Sequence, residues 1–220
     1  MDEMEAPVSR DTRQWRRTLL AVVAFLVFGG SPAMAEERTL MLYGDSLMAG
    51  YGLDAGDGFA PQLQAALDAS GLDVKLVNAS VSGDTSAAGL DRLDWSLGDQ
   101  PDAVILELGA NDMLRGLPVE QARKNLAAIL DRLKADGVPV LLAGMYASRS
   151  LGPDYVSEFD AMYPALAAEY GATLYPFFLE GVALDPALNL PDMRHPNAKG
   201  VSVMVERILP FVADLVGEAG

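Results

Sequence analysis

From Arg38 onward the chain alternates short apolar runs with longer stretches whose apolar residues recur at helical spacing. The short runs fall at residues 40–43, 74–77, 103–108 and 138–143, with a weaker one at 172–175. Each is nearly continuous in its apolarity, which is the pattern of strands covered on both faces, as in a parallel sheet with helices above and below. The clearest helix is predicted over 118–136. There Val119, Ala122, Leu126, Ile129, Leu130 and Leu133 share a face, Pro118 suits the first turn and Gly137 the end. A last helix is predicted over 197–216, with Val201, Val205, Ile208, Leu209, Val212 and Leu215 on one side and a kink expected at Pro210. Strands alternating with helices give an α/β fold class built from repeated βα units.

A different pattern precedes this series. Arg10, Arg13, Arg16 and Arg17 stand before an apolar stretch over 19–28, followed by Gly29, Gly30, Ser31, Pro32 and the small-residue signature Ala33-Met34-Ala35. Basic region, short apolar core, breaker and cleavage site are the layout of a secretory signal. Residues 1–35 are therefore expected to be removed after Ala35, leaving a periplasmic or secreted chain that starts at Glu36. An uncleaved anchor competes with this reading because 18–35 are uncharged, but ten apolar residues are short for a membrane span. Arg16-Arg17 leaves a twin-arginine export route open. Residues 36–220 suit one domain around a single core, with no repeat and no low-complexity linker.

Composition narrows the function. Half the residues are hydrophobic and 21% charged, which excludes a disordered or collagenous chain. Of 31 acids and 16 bases, four of each lie in the first 35 residues, so 27 acids face 12 bases in the remainder. Such a surface repels phosphate backbones, and no nucleic-acid partner is expected. The absence of Cys removes disulfides, thiolate nucleophiles and Cys metal sites. The single His argues against a His-rich metal centre and assigns any imidazole chemistry to His195. No cofactor is called for: Gly50, Gly52, Gly56 and Gly58 are not followed by Gly-Lys-Ser/Thr and make no phosphate loop.

In an open α/β sheet ligands bind beyond the carboxyl ends of the strands. The segments that follow the runs are Gly44-Asp45-Ser46-Leu47, then Asn78-Ala79-Ser80-Val81-Ser82-Gly83-Asp84, then Gly109-Ala110-Asn111-Asp112, and near the end stands Asp192-Met193-Arg194-His195-Pro196-Asn197. A serine attacks a carbonyl only if a base takes its proton, a partner fixes the base's tautomer, and donors meet the oxyanion. One candidate exists for each role. Ser46 is the candidate nucleophile, His195 the base, and Asp192, three residues earlier, could turn back to the second ring nitrogen. The backbone N–H groups of Ser46 and Gly83 and the side-chain amide of Asn111 are candidate oxyanion donors. Taken singly, each has a plainer reading: Ser46 and Asn111 as cap or loop residues, Gly83 as a turn glycine, Asp192 as a solvated charge, His195 as a capping or packed histidine. Their joint placement at strand ends raises a serine hydrolase to even standing with those readings, because a triad is recognised by geometry.

Position 48 is Met, so this is not the Gly-x-Ser-x-Gly elbow. The four blocks instead resemble those of the SGNH, or GDSL, hydrolases. Asn78 to Thr85, Asn111-Asp112-Met113-Leu114-Arg115-Gly116, Tyr175-Pro176-Phe177-Phe178 and His195-Pro196-Asn197 are similar to bacterial thioesterase I / protease I / lysophospholipase L1 enzymes and related arylesterases. The resemblance runs from about Thr39 to Leu215. It implies a flavodoxin-like three-layer α/β/α fold, hydrolysis of acyl esters and thioesters, and the roles above for Ser46, Gly83, Asn111, Asp192 and His195. Ala110 stands where Gly is common in the family, and Met193-Arg194 replace a commoner Gly-Ile, which puts a cation beside the triad. By the same resemblance the loops bearing Met113, Leu114 and Leu117, and Met145, Tyr146 and Tyr155, flank an acyl-binding groove. Adaptable Met and Leu suit a fatty-acyl chain better than a sugar; packing of the loops is the competing role. A carbohydrate O-acetyl esterase and a catalytically silent binding domain of the same fold remain the alternatives. The expected partner is a small acyl ester or lipid, bound by a monomer with no membrane span after processing.

Overall fold

A computed structural model describes Met1, Glu3 and residues 38–218; the expected signal segment and its cleavage site lie outside the described residues. Five strands, β1 (Arg38–Tyr43), β2 (Val74–Asn78), β3 (Ala103–Leu106), β4 (Val140–Ala143) and β5 (Thr173–Tyr175), form one parallel sheet in the order β2-β1-β3-β4-β5. The helices are α1 (Ser46–Ala49), α2 (Phe59–Ala69), α3 (Ser86–Ser96), α4 (Ala110–Leu114), α5 (Val119–Ala135), α6 (Pro153–Tyr170) and α7 (Ala198–Glu218). The sheet winds one way from β1 to β2 and the other way through β3, β4 and β5. With right-handed crossovers this puts α2 and its neighbour α7 on one face, and α3, α5 and α6 on the other. The result is the flavodoxin-like three-layer arrangement. Among the described residues no helix is long and apolar enough to cross a membrane.

The apolar runs map onto the sheet with informative exceptions. All of β3 and β4 and the last four residues of β1 are buried, so two-face coverage holds at the centre. At the edges it does not: in β2 only Val74 is buried, and in β5 only Tyr175. The run at 138–143 begins as a strand only at Val140, because the Val138 N–H still closes α5 on the Leu133 carbonyl at 2.9 Å. The run at 103–108 ends as a strand at Leu106, and its next residue, Glu107, is a fully buried acid. Truncating a central side chain such as Leu42 or Ile105, both without exposed surface, should cost about 2–5 kcal/mol. The α5 face is as the spacing predicts, with Pro118 as its N-cap and Arg132 and Lys134 near its negative end. The last helix starts where the Asn197 side chain accepts from the N–H groups of Lys199 (3.0 Å) and Gly200 (3.1 Å), and it continues through Pro210.

Sheet order reverses between β1 and β3, and the loops leaving these two adjacent strands carry Ser46 and Asn111. That crevice is where the topology itself favours a ligand.

Candidate active site

The Ser46 side is built from the core outward. Asp45 caps α1, accepting from the Leu47 N–H at 3.0 Å, and places Ser46 as the first helical residue, whose own N–H has no helical acceptor. Gly44 just before it has no room for a side chain, since a Cβ would lie 2.9 Å from the carbonyl oxygen and Oε2 of Glu107 and from the Met48 sulfur. Asn111 stands in α4 after Gly109, whose φ of 113° and the Tyr163 hydroxyl, 2.5 Å from a would-be Cβ, together demand glycine. The Asn111 Nδ2 donates to Asp45 Oδ2 at 2.8 Å, which ties the loops after β1 and β3 together.

Next along, Asp112 is buried and accepts from the Ser86 N–H at 2.7 Å and the Ser86 hydroxyl at 2.6 Å, with Asn125 donating to that hydroxyl at 2.9 Å. This fixes the start of α3, and with it the turn at Gly83, whose carbonyl accepts from Arg115 at 2.7 Å. Arg92 holds the same turn from below. It pairs with Asp84 at 2.6 Å, donates to the carbonyls of Ala79 and Gly44, and lies 4.1 Å over the Tyr43 ring.

The histidine side is a loop closed on itself. Leu190 N–H donates to the His195 carbonyl at 2.7 Å, Asn197 N–H to the Leu188 carbonyl at 2.9 Å, and the Asn189 amide to the carbonyls of Val182 and Asp185. Met193 takes a left-handed turn at φ 57°. The turn brings Asp192 back under the ring, with Oδ2 2.6 Å from His195 Nδ1 and Oδ1 accepting from the N–H groups of Arg194 and His195. His195 Nε2 then lies 2.9 Å from Ser46 Oγ. Partial burial pushes the Asp192 carboxyl up, but the bond from the His195 ring and the two backbone N–H groups outweigh it and hold the acid down at about 2. Tyr51 leans on the outer face of the imidazole, ring centroids 4.6 Å apart. Nothing in the local sequence marks this neighbour, which lies among Gly50, Gly52, Gly56 and Gly58.

Ser46, Asn111 and His195 open on one cavity of about 690 Å³. Met113, Leu114, Met145 and Tyr146 line it, as do Phe177, Leu179, Leu184 and Met193, which the sequence had not singled out for this role. Phe177 stacks on Tyr146 at 4.7 Å and arrives from beyond β5, a contact that the pairing of β4 with β5 creates. Leu117 and Tyr155 are not among the lining residues. The Tyr155 hydroxyl donates to the Leu117 carbonyl at 3.0 Å, so the two fasten the loop before α5 to α6. Gly83 is likewise not part of that lining. Arg149 and Arg194 also line the cavity.

The family model for the GDSL-like lipase/acylhydrolase family matches residues 42–203. Esterase TesA of Pseudomonas aeruginosa is 40% identical over 183 residues, spanning 83% of this chain and 91% of its own. Thioesterase 1/protease 1/lysophospholipase L1 of Escherichia coli K12 is 40% identical over 181 residues, 82% of each chain. The crystal structure of AlinE4, an esterase of the SGNH-hydrolase family, is 47% identical, with a TM-score of 0.70 over 82% of this chain and 97% of its own. With the family model covering most of the described domain, and relatives matched across nearly their whole length, this chain belongs to the GDSL-like lipase/acylhydrolase family.

Proposed function

We propose that the protein hydrolyses fatty-acyl esters and thioesters through a covalent acyl-serine, with Ser46 as nucleophile, His195 as base and Asp192 as its orienting carboxylate. One observation carries this: the unbroken contact from Asp192 through His195 to Ser46, 2.6 Å and then 2.9 Å, opens directly on the apolar cavity. With its Nδ1–H donated to Asp192, the ring presents a basic Nε2 to the serine hydroxyl. As the Oγ–carbon bond forms, His195 takes the serine proton and the carbonyl electrons move to oxygen. The oxyanion is met by the Ser46 N–H, the Gly83 N–H and the second Nδ2 hydrogen of Asn111, the first being held by Asp45. Collapse expels the alkoxide or thiolate, which takes the proton from His195. Water then repeats the sequence on the acyl-enzyme, delivering one proton to His195 and hence back to Ser46 as the acid leaves.

The cavity supports an acyl chain as the group held, because most of the surface it exposes is apolar, although Ser148, Arg149, Ser150 and Arg194 also stand in its lining. An alcohol, thiol or lysophospholipid leaving group would lie toward the Arg194 side. A p-nitrophenyl ester series from acetate to palmitate, run beside acyl thioesters with Ser46→Ala as control, tests the reading. Turnover should favour chains longer than acetate and fall on the order of 10⁴-fold in the control. Preference for acetylated glycans, or no labelling by a fluorophosphonate, overturns it. The proposal includes export: a monomer without affinity for nucleic acid, recovered from the periplasm with Glu36 as its first residue.

A further inference from the structure

Glu107 sits against this machinery, yet the reaction as drawn gives it no task. It follows β3 directly, none of its surface reaches solvent, and its Oε2 accepts from the Asp45 N–H at 3.3 Å. Its Oε1 has no hydrogen-bond partner among the described residues. An ionised carboxylate so placed would give up its hydration with too few hydrogen bonds in return, so the acid stays protonated. Burial pushes Glu107 well above the usual carboxylate range, and the Asp45 charge beside it adds to the push. Asp45 is raised by burial as well, but its carboxylate accepts from the Leu47 N–H at 3.0 Å and the Asn111 amide at 2.8 Å. Glu107 has no such set of donors. Of the two carboxyls, the proton belongs on Glu107 and the charge on Asp45.

The geometry points to Glu107 as a positioning residue for the oxyanion hole: a neutral buried acid that donates to Asp45 and so fixes the carboxylate on which the Asn111 amide hangs. Asn111 Nδ2 gives one hydrogen to Asp45 Oδ2 at 2.8 Å, and because the amide is planar, that bond sets where its other hydrogen points. A carboxylate free to swing would let the amide rotate away from the developing oxyanion. The closeness of the parts is built in at Gly44, where any Cβ would strike Glu107.

This inference rests on the serine-hydrolase reading above, and the test separates the two. In the full chain, kcat and KM are measured for Glu107→Leu, Glu107→Gln, Asn111→Ala and the Glu107→Leu/Asn111→Ala pair, with Ser46→Ala as reference. Glu107→Leu should lower kcat on the order of 10- to 100-fold with KM moved less than about twofold. Glu107→Gln, which offers Asp45 an N–H without a charge, should recover kcat to within a few-fold of the parent. The double variant should be no slower than Asn111→Ala, since the Glu107 effect passes through that amide. Should Glu107→Leu not fold, infrared spectroscopy decides: a protonated-carboxyl band present at neutral pH and absent from Glu107→Gln supports the assignment. A Gln variant as slow as Leu, a multiplicative double variant, a change in KM alone, or no such band overturns it. Full activity in Ser46→Ala sinks the site reading and the inference with it, whereas an inactive Ser46→Ala beside a multiplicative double variant sinks the inference alone.

Discussion

Two aspartates stand on either side of the Ser46–His195 pair, and the chain holds them by opposite means. Asp45 is 1% exposed, capped into α1, backed by a buried acid and bonded to Asn111 from the neighbouring strand end. The side chain of Asp192 is 40% exposed and belongs to a loop whose bonds run almost entirely within residues 182–197. Burial raises the first acid, while hydrogen bonds to its charged form lower the second. The side that carries Ser46 and Asn111 is thus an extension of the core, and His195 is delivered by a self-contained loop. Substitutions on the two sides should separate stability from activity in different proportions.

The largest expected effect tests the loop side. His195→Ala should reduce hydrolysis on the order of 10⁴-fold or more, measured as kcat/KM on a p-nitrophenyl ester. The variant's thermal midpoint should fall only slightly, because the loop is tied mainly by main-chain atoms and by Asn189 and Asn197, and the ring adds only a solvent-screened bond to Asp192. A large drop in calorimetric midpoint would show that the ring is part of the fold and would erase the contrast.

Asn111→Ala comes next, at roughly 10² to 10³-fold in kcat, as one oxyanion donor is lost. Here the midpoint should fall as well, since the buried Asp45 loses a donor, a change worth about 1–3 kcal/mol in denaturant unfolding. Activity loss with unaltered stability would place Asn111 with the loop side instead. Ser86→Ala should do the reverse of His195→Ala. It strips the buried Asp112 of one hydrogen bond and Asn125 of its acceptor, so unfolding should become easier by roughly 1–3 kcal/mol. Its kcat should change less than that of Asn111→Ala, because Ser86 reaches the site only indirectly, through the turn at Gly83 and through Asp112 beside Asn111.

The same contrast explains what could be read before folding. Strand runs at the sheet centre are legible because burial on both faces leaves only apolar residues, and α5 is legible because its face repeats at helical spacing. Short α1 and α4 have too few residues to show a period, and α6 hides a regular face, Phe159, Met162, Tyr163 and Leu166, behind Pro153 at its start and Pro164 in its interior. At the site, Ser46 and Asn111 stand out by following strands, and His195 by being the single imidazole. Glu107 does not, since one acid inside an apolar run looks like an interruption until its neighbour across the sheet is known. Tyr51 on the ring, Phe177 in the cavity, and Leu117 and Tyr155 outside its lining all depend on which way a loop folds back, and spacing along the chain carries no record of that.

The smallest effect is a pair of opposed slopes in stability against pH. Asp192 has its folded value lowered from 3.8 to about 2, so the stability it lends is present above about 4 and is lost as pH falls through about 2. Its exposure screens the interaction, and the slope should be shallow. Glu107 works in the other direction. Its folded value is raised from 4.5, so the folded chain holds a proton that the unfolded chain releases, and the associated stability is present below about 4.5 and lost as pH rises through the raised value. Thermal midpoints measured from pH 2 to 8 for the parent, Asp192→Asn and Glu107→Gln resolve the two. Asp192→Asn should flatten the acid limb alone, because an amide in that loop has no proton to gain. Glu107→Gln should flatten the limb above 4.5 alone, because the buried group no longer titrates. If either variant changes the other's limb, the two acids share one titration and the core side is not independent of the loop side.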